Sequence, residues 1–197
     1  MLKKALLDLK TEVIKRTINQ NRTLRSFNIM LKEKYGNESI VGCELGVSTG
    51  INAKELLDDL NIKKLYLVDC YLPYKEIGNF GNIIANGYQY ERALKRLKRY
   101  KGKIEFIIEK SVDAYKFIPD NLDFIYIDSD HTYDTTKKEI EIYYPKTKDN
   151  GVFGGHDFAS PYFGLIDAVN EMRKKIGCKL NGYNLDWWYE FKEHKTK

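Results

Sequence analysis

The chain has little cysteine, little histidine and no long apolar run. Its three cysteines, Cys43, Cys70 and Cys178, are an odd number and widely spaced, with no CxxC pair. Neither a disulfide framework nor a thiolate zinc site is therefore expected, and a reducing cytoplasm is the expected compartment. No stretch approaches the roughly 18 apolar residues that a bilayer-spanning helix requires, so no membrane partner is expected. The first residues carry a basic Lys3-Lys4 pair, but Asp8, Lys10 and Glu12 interrupt the apolar run, unlike a signal peptide. Only three histidines occur in the chain, which makes their positions informative.

What is present suits one globular domain: 197 residues, 43% of them hydrophobic, enough for one sizeable core. The formal charge is +5, and the segment Glu91 to Lys110 holds eight basic residues against three acidic ones. That one segment equals the whole excess, so the net charge is weak evidence for a polyanion partner. Between Glu91 and Tyr100 the apolar Ala93, Leu94, Leu97 and Tyr100 share one helical face. The basic residues are then expected to form a solvated helix face rather than a nucleic-acid surface.

Apolar spacing predicts two amphipathic helices at Leu2 to Val13 and Leu24 to Tyr35, separated by Asn21-Arg22-Thr23. Residues 1–38 read as a helical extension serving as a lid or a homo-oligomer contact, ahead of a main domain over residues 39–197. Beyond Gly36 strands and helices alternate. Strands are expected at Ile40–Leu45, Lys64–Val68, Ile104–Ile108, Leu122–Ile127, Val152-Phe153, near Leu180 and at Trp187–Phe191. Helices are expected at Ala53–Leu60, Tyr88–Tyr100, Val112–Phe117, about Thr135–Tyr144 and Leu165–Ile176. That order predicts an α/β fold: a Rossmann-like, doubly wound, mostly parallel seven-stranded sheet with helices on both faces. Tyr71 to Gly87, with Pro73 and three glycines, reads as a lid loop.

In such sheets ligands bind beyond the carboxyl ends of the strands. The first strand ends in Glu44-Leu45-Gly46-Val47-Ser48-Thr49-Gly50. Gly46 and Gly50 allow a tight turn, but Ser48 stands where a dinucleotide fingerprint has its second glycine, so a nicotinamide-dependent dehydrogenase lacks its motif. Glu44 places a carboxylate near the turn, which would repel a pyrophosphate and suits a ligand with an amino group. Asp69, ending the second strand, is placed to accept hydrogen bonds from ribose hydroxyls. The fourth and fifth strands end in Asp128-Ser129-Asp130-His131-Thr132-Tyr133 and Gly154-Gly155-His156-Asp157. Two of the three histidines thus sit beside carboxylates at neighbouring strand ends, a donor set for a divalent ion or for proton transfer. Asp130 and Thr132 are also good N-cap residues for the following helix.

Glu44-x-Gly46-x-x-x-Gly50 with Asp69 and Asp128 resembles the cofactor motifs of class I S-adenosylmethionine-dependent methyltransferases, over about Ser39 to Phe191 in element order. The resemblance implies that Glu44 and Gly46, Val47, Ser48, Thr49 and Gly50 face the methionine part of the cofactor. It also implies that Asp69 and Cys70 hold the ribose, and that Ser111 and Val112 flank the adenine, with Asp128 alongside. The Asp-x-x-His pattern after the fourth strand is similar to metal-dependent, macrocin-type sugar O-methyltransferases. By that similarity Asp128 and Asp157 are metal ligands for magnesium or another divalent cation, His131 is the general base, and His156 replaces the usual acidic residue. The expected function is methylation of a hydroxyl on a small molecule such as a sugar or glycoside. Two alternatives remain: an RNA-binding or RNA-modifying protein using Arg92 to Lys103, and a non-catalytic cofactor-binding module.

Overall fold

The computed structural model describes residues 25–72 and 87–190. The first predicted helix and most of the proposed lid loop lie outside the described residues. Helix α1 (Ser26–Tyr35) precedes β1 (Ile40–Leu45), α2 (Ile51–Asp59), β2 (Ile62–Val68), α3 (Gly87–Leu97) and β3 (Ile104–Ile107). Then follow α4 (Ser111–Ala114), β4 (Leu122–Ile127), α5 (Tyr133–Tyr143), β5 (Thr147–Gly155), α6 (Phe163–Ile176), β6 (Lys179–Tyr183) and β7 (Asp186–Glu190). One seven-stranded sheet runs β3-β2-β1-β4-β5-β7-β6, with parallel pairing from β3 to β5 and with β7 antiparallel to both of its neighbours, β5 and β6. The order reverses between β1 and β4, which opens a crevice at the carboxyl ends of those strands.

Alternation along the central strands divides the core by face. Phe124 and Tyr126 of β4 join Phe27 and Leu31 of α1, Leu56 and Leu57 of α2, and Leu97 of α3. Ile125 and Ile127 join Ile140 and Tyr143 of α5 and Leu165, Val169 and Met172 of α6. All six residues of β4 are buried, as expected for a strand covered on both faces. Trp187 faces one cluster and Trp188 packs against the other, as their adjacency in a strand requires. Helix α1 belongs to this packing: Phe27 and Leu31 are fully buried, and the Phe27 ring lies 4.7 Å from that of Tyr126.

Two local expectations are corrected. Strand β5 is much longer than Val152-Phe153, because its first residues run out exposed before the buried stretch begins. On α3, Ala93 and Leu97 are buried but Leu94 is 44% exposed. The contact face is narrow because α3 rests on the turn after β1, where a Cβ on Gly50 would stand 3.2 Å from Leu97. The basic side chains of α3 and the turn after it are mostly exposed, with Arg96 reaching the Thr49 carbonyl and Arg99 paired with Asp58. Among the described residues no helix is long and apolar enough to cross a membrane.

Candidate active site

The turn after β1 is built by close backbone approach. Gly46 has φ +87, and a Cβ there would stand 1.9 Å from the Asp128 carbonyl oxygen. Only glycine lets this turn lie against the end of β4. Gly50, at φ 72, then starts α2. Asp69 ties the turn to β2: its Oδ2 accepts from Val47 N at 2.9 Å and Ser48 N at 2.8 Å, and its Oδ1 accepts from Tyr71 N at 2.8 Å. A carboxylate oxygen has two lone pairs, so Oδ1 retains acceptor capacity towards the crevice. Val47 turns its side chain into the core, leaving its backbone to face the turn. Tyr71 is packed on Tyr90, with ring centroids 5.0 Å apart. Cys70 is half-buried.

Glu44 sits beneath the turn at 1% exposure. Burial pushes its carboxyl up to about 8, although Asn52 donates to Oε1 at 3.1 Å and opposes the rise. Its Oε2 is buried without a hydrogen-bond partner, a costly state that a ligand donor would relieve. This orphaned oxygen beneath the turn fits a ligand that carries an ammonium and lies along the turn. On the other side of the crevice Ser111 opens α4, with its carbonyl accepting from Tyr143 Oη at 2.7 Å, and Val112 follows half-buried. Ser129 donates to the buried Glu139, a carboxyl that burial raises to about 7.

The ends of β4 and β5 gather the remaining chemistry. Asp128, His131 and Asp157 each offer one ligand atom within 4.8 Å of the others. His131 Nε2 lies 3.0 Å from Asp157 Oδ2 and 4.0 Å from Asp128 Oδ1, while His156 Nδ1 lies 3.0 Å from Asp157 Oδ1 and 3.9 Å from Asp128 Oδ1. Both histidines therefore flank one carboxylate pair. Burial works to lower His131, but Asp128 and Asp157 outweigh it and hold the imidazole at about 9. Conversely, burial works to raise Asp157, yet His131 and His156 hold it well below the usual carboxylate range. Held at about 9, the His131 imidazole keeps its proton at neutral pH. Accepting a proton requires another cation to neutralise the pair first. Two carboxylates and an imidazole at this spacing fit a divalent cation by donor type.

The capping expectation holds as well. Thr132 is the N-cap of α5 and accepts from Thr135 N, while Asp130 Oδ1 accepts from Thr132 N at 2.8 Å. Tyr133 turns to Glu171 and Lys137 at the surface. Several participants carry no local sequence signal. Arg25, just before α1, lies 3.0 Å from Asp128 Oδ2 and donates to Tyr126 Oη at 2.8 Å. Tyr126 donates to Asp186 Oδ1 at 2.7 Å, and Asp186 Oδ2 accepts from Phe27 N at 2.8 Å. The Tyr162 ring lies 4.3 Å from that of His131. A residue with a polar tip inside the mostly apolar, fully buried strand β4, such as Tyr126, is the one sign that could have pointed to this network.

Residues 40–158, more than half of the chain, match the family described as a methyltransferase domain. The chain belongs to that family. It is a class I S-adenosylmethionine-dependent methyltransferase. Similar solved structures agree on the fold. The O-methyltransferase NovP is 17% identical with a TM-score of 0.61, over 96% of this chain and 80% of that one. A methyltransferase, SMU.1697c from Streptococcus mutans, in complex with SAH, is 13% identical with a TM-score of 0.57, over 82% and 95%. An rRNA methylase from Streptococcus thermophilus is 15% identical with a TM-score of 0.58, over 84% and 95%. No protein of curated function matches the sequence.

Proposed function

We propose that this methyltransferase acts on a hydroxyl of a small molecule, such as a sugar or glycoside, with assistance from a divalent cation. The observation that carries the reading is the convergence of Asp128, His131, His156 and Asp157 at the ends of β4 and β5, beside the turn after β1. The name of NovP as an O-methyltransferase supports it. A hydroxyl acceptor needs in-line placement and removal of its proton, which this cluster is equipped to provide. S-adenosylmethionine would supply the methyl group on a cationic sulfur, and a divalent cation held by these residues would lower the pKa of a hydroxyl beside it.

Within the protein, Glu44 and the turn from Gly46 to Gly50 take the amino-acid end of the cofactor. Asp69 and Cys70 take the ribose, and Ser111 and Val112 flank the adenine. Asp128 and Asp157, with His156, hold the cation. His131, released from its carboxylate partners, takes the acceptor's proton. The distances also support a second distribution, in which His131 joins the two aspartates as the third ligand and His156 is the proton acceptor. The chain works in the cytoplasm, with residues 1–38 as a lid or a contact between copies.

Release of S-adenosylhomocysteine is to be followed over a panel of sugars, glycosides and phenols, with magnesium or chelator, and with an rRNA transcript. The expected result is turnover of a hydroxyl acceptor, lost in chelator and in the Asp128→Asn, Asp157→Asn double variant. Turnover of the transcript alone would overturn the small-molecule reading, and undiminished turnover in chelator would overturn the metal. The His131→Gln and His156→Gln variants separate the two distributions: one loses metal affinity, and the other loses kcat with metal affinity intact.

A further inference from the structure

We infer that Asn28 of α1, a residue outside the matched methyltransferase region, is a positioning residue for the amino-acid end of the cofactor, acting on Glu44 through Asn52. The inference rests on the proposal that Glu44 receives that end. Asn28 Nδ2 donates to Asn52 Oδ1 at 2.9 Å, and Asn52 Nδ2 donates to Glu44 Oε1 at 3.1 Å. The three residues are 2%, 5% and 1% exposed, so water does not compete for these groups.

The chain of amides has a direction. With Oε1 as the acceptor, Glu44 turns the Asn52 amide nitrogen towards it and leaves Asn52 Oδ1 to accept from Asn28. Each amide is thus set by its neighbour, and the Glu44 carboxylate is held with Oε1 on Asn52 and Oε2 unpartnered. Two further orphans, Asn28 Oδ1 and Ser26 Oγ, end the series at α1. Buried polar atoms without partners are costly. An ammonium at Oε2 completes the Glu44 end. The start of α1 is anchored independently: Phe27 N donates to Asp186, and Arg25, just before the helix, pairs with Asp128. One helix therefore braces both sides of the crevice.

The test compares affinity for S-adenosylhomocysteine with that for 5′-methylthioadenosine, which lacks the amino-acid end, by calorimetry on the full chain. Asn28→Leu and the smaller Asn28→Ser are used together, with thermal unfolding as a check that each is folded. Both are expected to weaken S-adenosylhomocysteine about fivefold, the size of one lost hydrogen bond between neutral groups, and to leave 5′-methylthioadenosine unchanged. Equal weakening of both ligands, or of neither, overturns the inference. Glu44→Gln separates the two layers. If it also weakens S-adenosylhomocysteine selectively while the Asn28 variants do not, Glu44 reads the ligand and the relay is wrong. If it does not, the reading of Glu44 fails and the relay falls with it.

Discussion

Replacing Gly46 by alanine attacks the site where the turn after β1 rests on β4. The new Cβ would stand 1.9 Å from Asp128 O, 2.4 Å from Asp128 C and 2.8 Å from Ser129 Cα, all backbone atoms that no rotamer change can move aside. The residue also sits at φ +87. Left-handed backbone costs a non-glycine residue about 1–2 kcal/mol, and overpacking adds about 1–3 kcal/mol. Gly177, which ends α6 at φ +78 with nothing within 4 Å of its would-be Cβ, isolates the first contribution. Urea unfolding should therefore show a loss of about 1–2 kcal/mol for Gly177→Ala and about 2–5 kcal/mol for Gly46→Ala. Calorimetry with S-adenosylhomocysteine should show binding lost only in the latter, since the turn must shift away from Asp128. Equal losses for the two variants, with binding intact in both, would refute the claim that close approach to β4 shapes the cofactor turn.

Asp69→Ala strands three backbone N–H donors, those of Val47, Ser48 and Tyr71, and should weaken S-adenosylhomocysteine at least about tenfold; unchanged calorimetric affinity would count against the site. His131 has a folded value of about 9 against 6.5 ordinarily, so its contribution is fully present below pH 6.5 and is lost as pH rises through 9. Asp157, held low by both histidines, contributes above its ordinary 3.8 and loses that contribution as pH falls through its folded value. In chelator, His131→Gln should then cost stability at pH 6 and little at pH 10, and a cost independent of pH would contradict the ion-paired arrangement. Glu44 behaves oppositely, because burial raises it from 4.5 to about 8. The native state holds its proton longer than the unfolded chain, so wild-type stability falls between those values as pH rises. Glu44→Gln removes that fall, and its stability relative to wild type should improve from pH 5 to pH 8; parallel pH curves for the two proteins would speak against a strained buried carboxyl.

Much of the architecture was readable along the chain because it is local. Period-two and period-3.6 burial mark strands and helices, and a strand's last residues face the crevice whatever packs around it. Glu44, Gly46, Asp69, Asp128, His131, His156 and Asp157 were accessible in this way. Leu94 was misassigned because it adjoins Ala93 on a helical wheel, and only the narrow contact of α3 with the turn at Gly50 excludes it from the core.

The partners of those strand-end groups were decided elsewhere. Arg25 meets Tyr126 across 101 residues, Phe27 meets Asp186 across 159, and Asn28 meets Asn52 across 24. Hydropathy patterns say which face of an element is buried, but hydrogen bonds depend on atoms within about 3 Å, and that proximity arises only when helix and strand have docked. The sequence by itself thus determined the fold class and the chemical groups around the crevice. The tertiary structure decided their charge states, by choosing which carboxylates lie beside His131 and which oxygen of Glu44 is left without a partner.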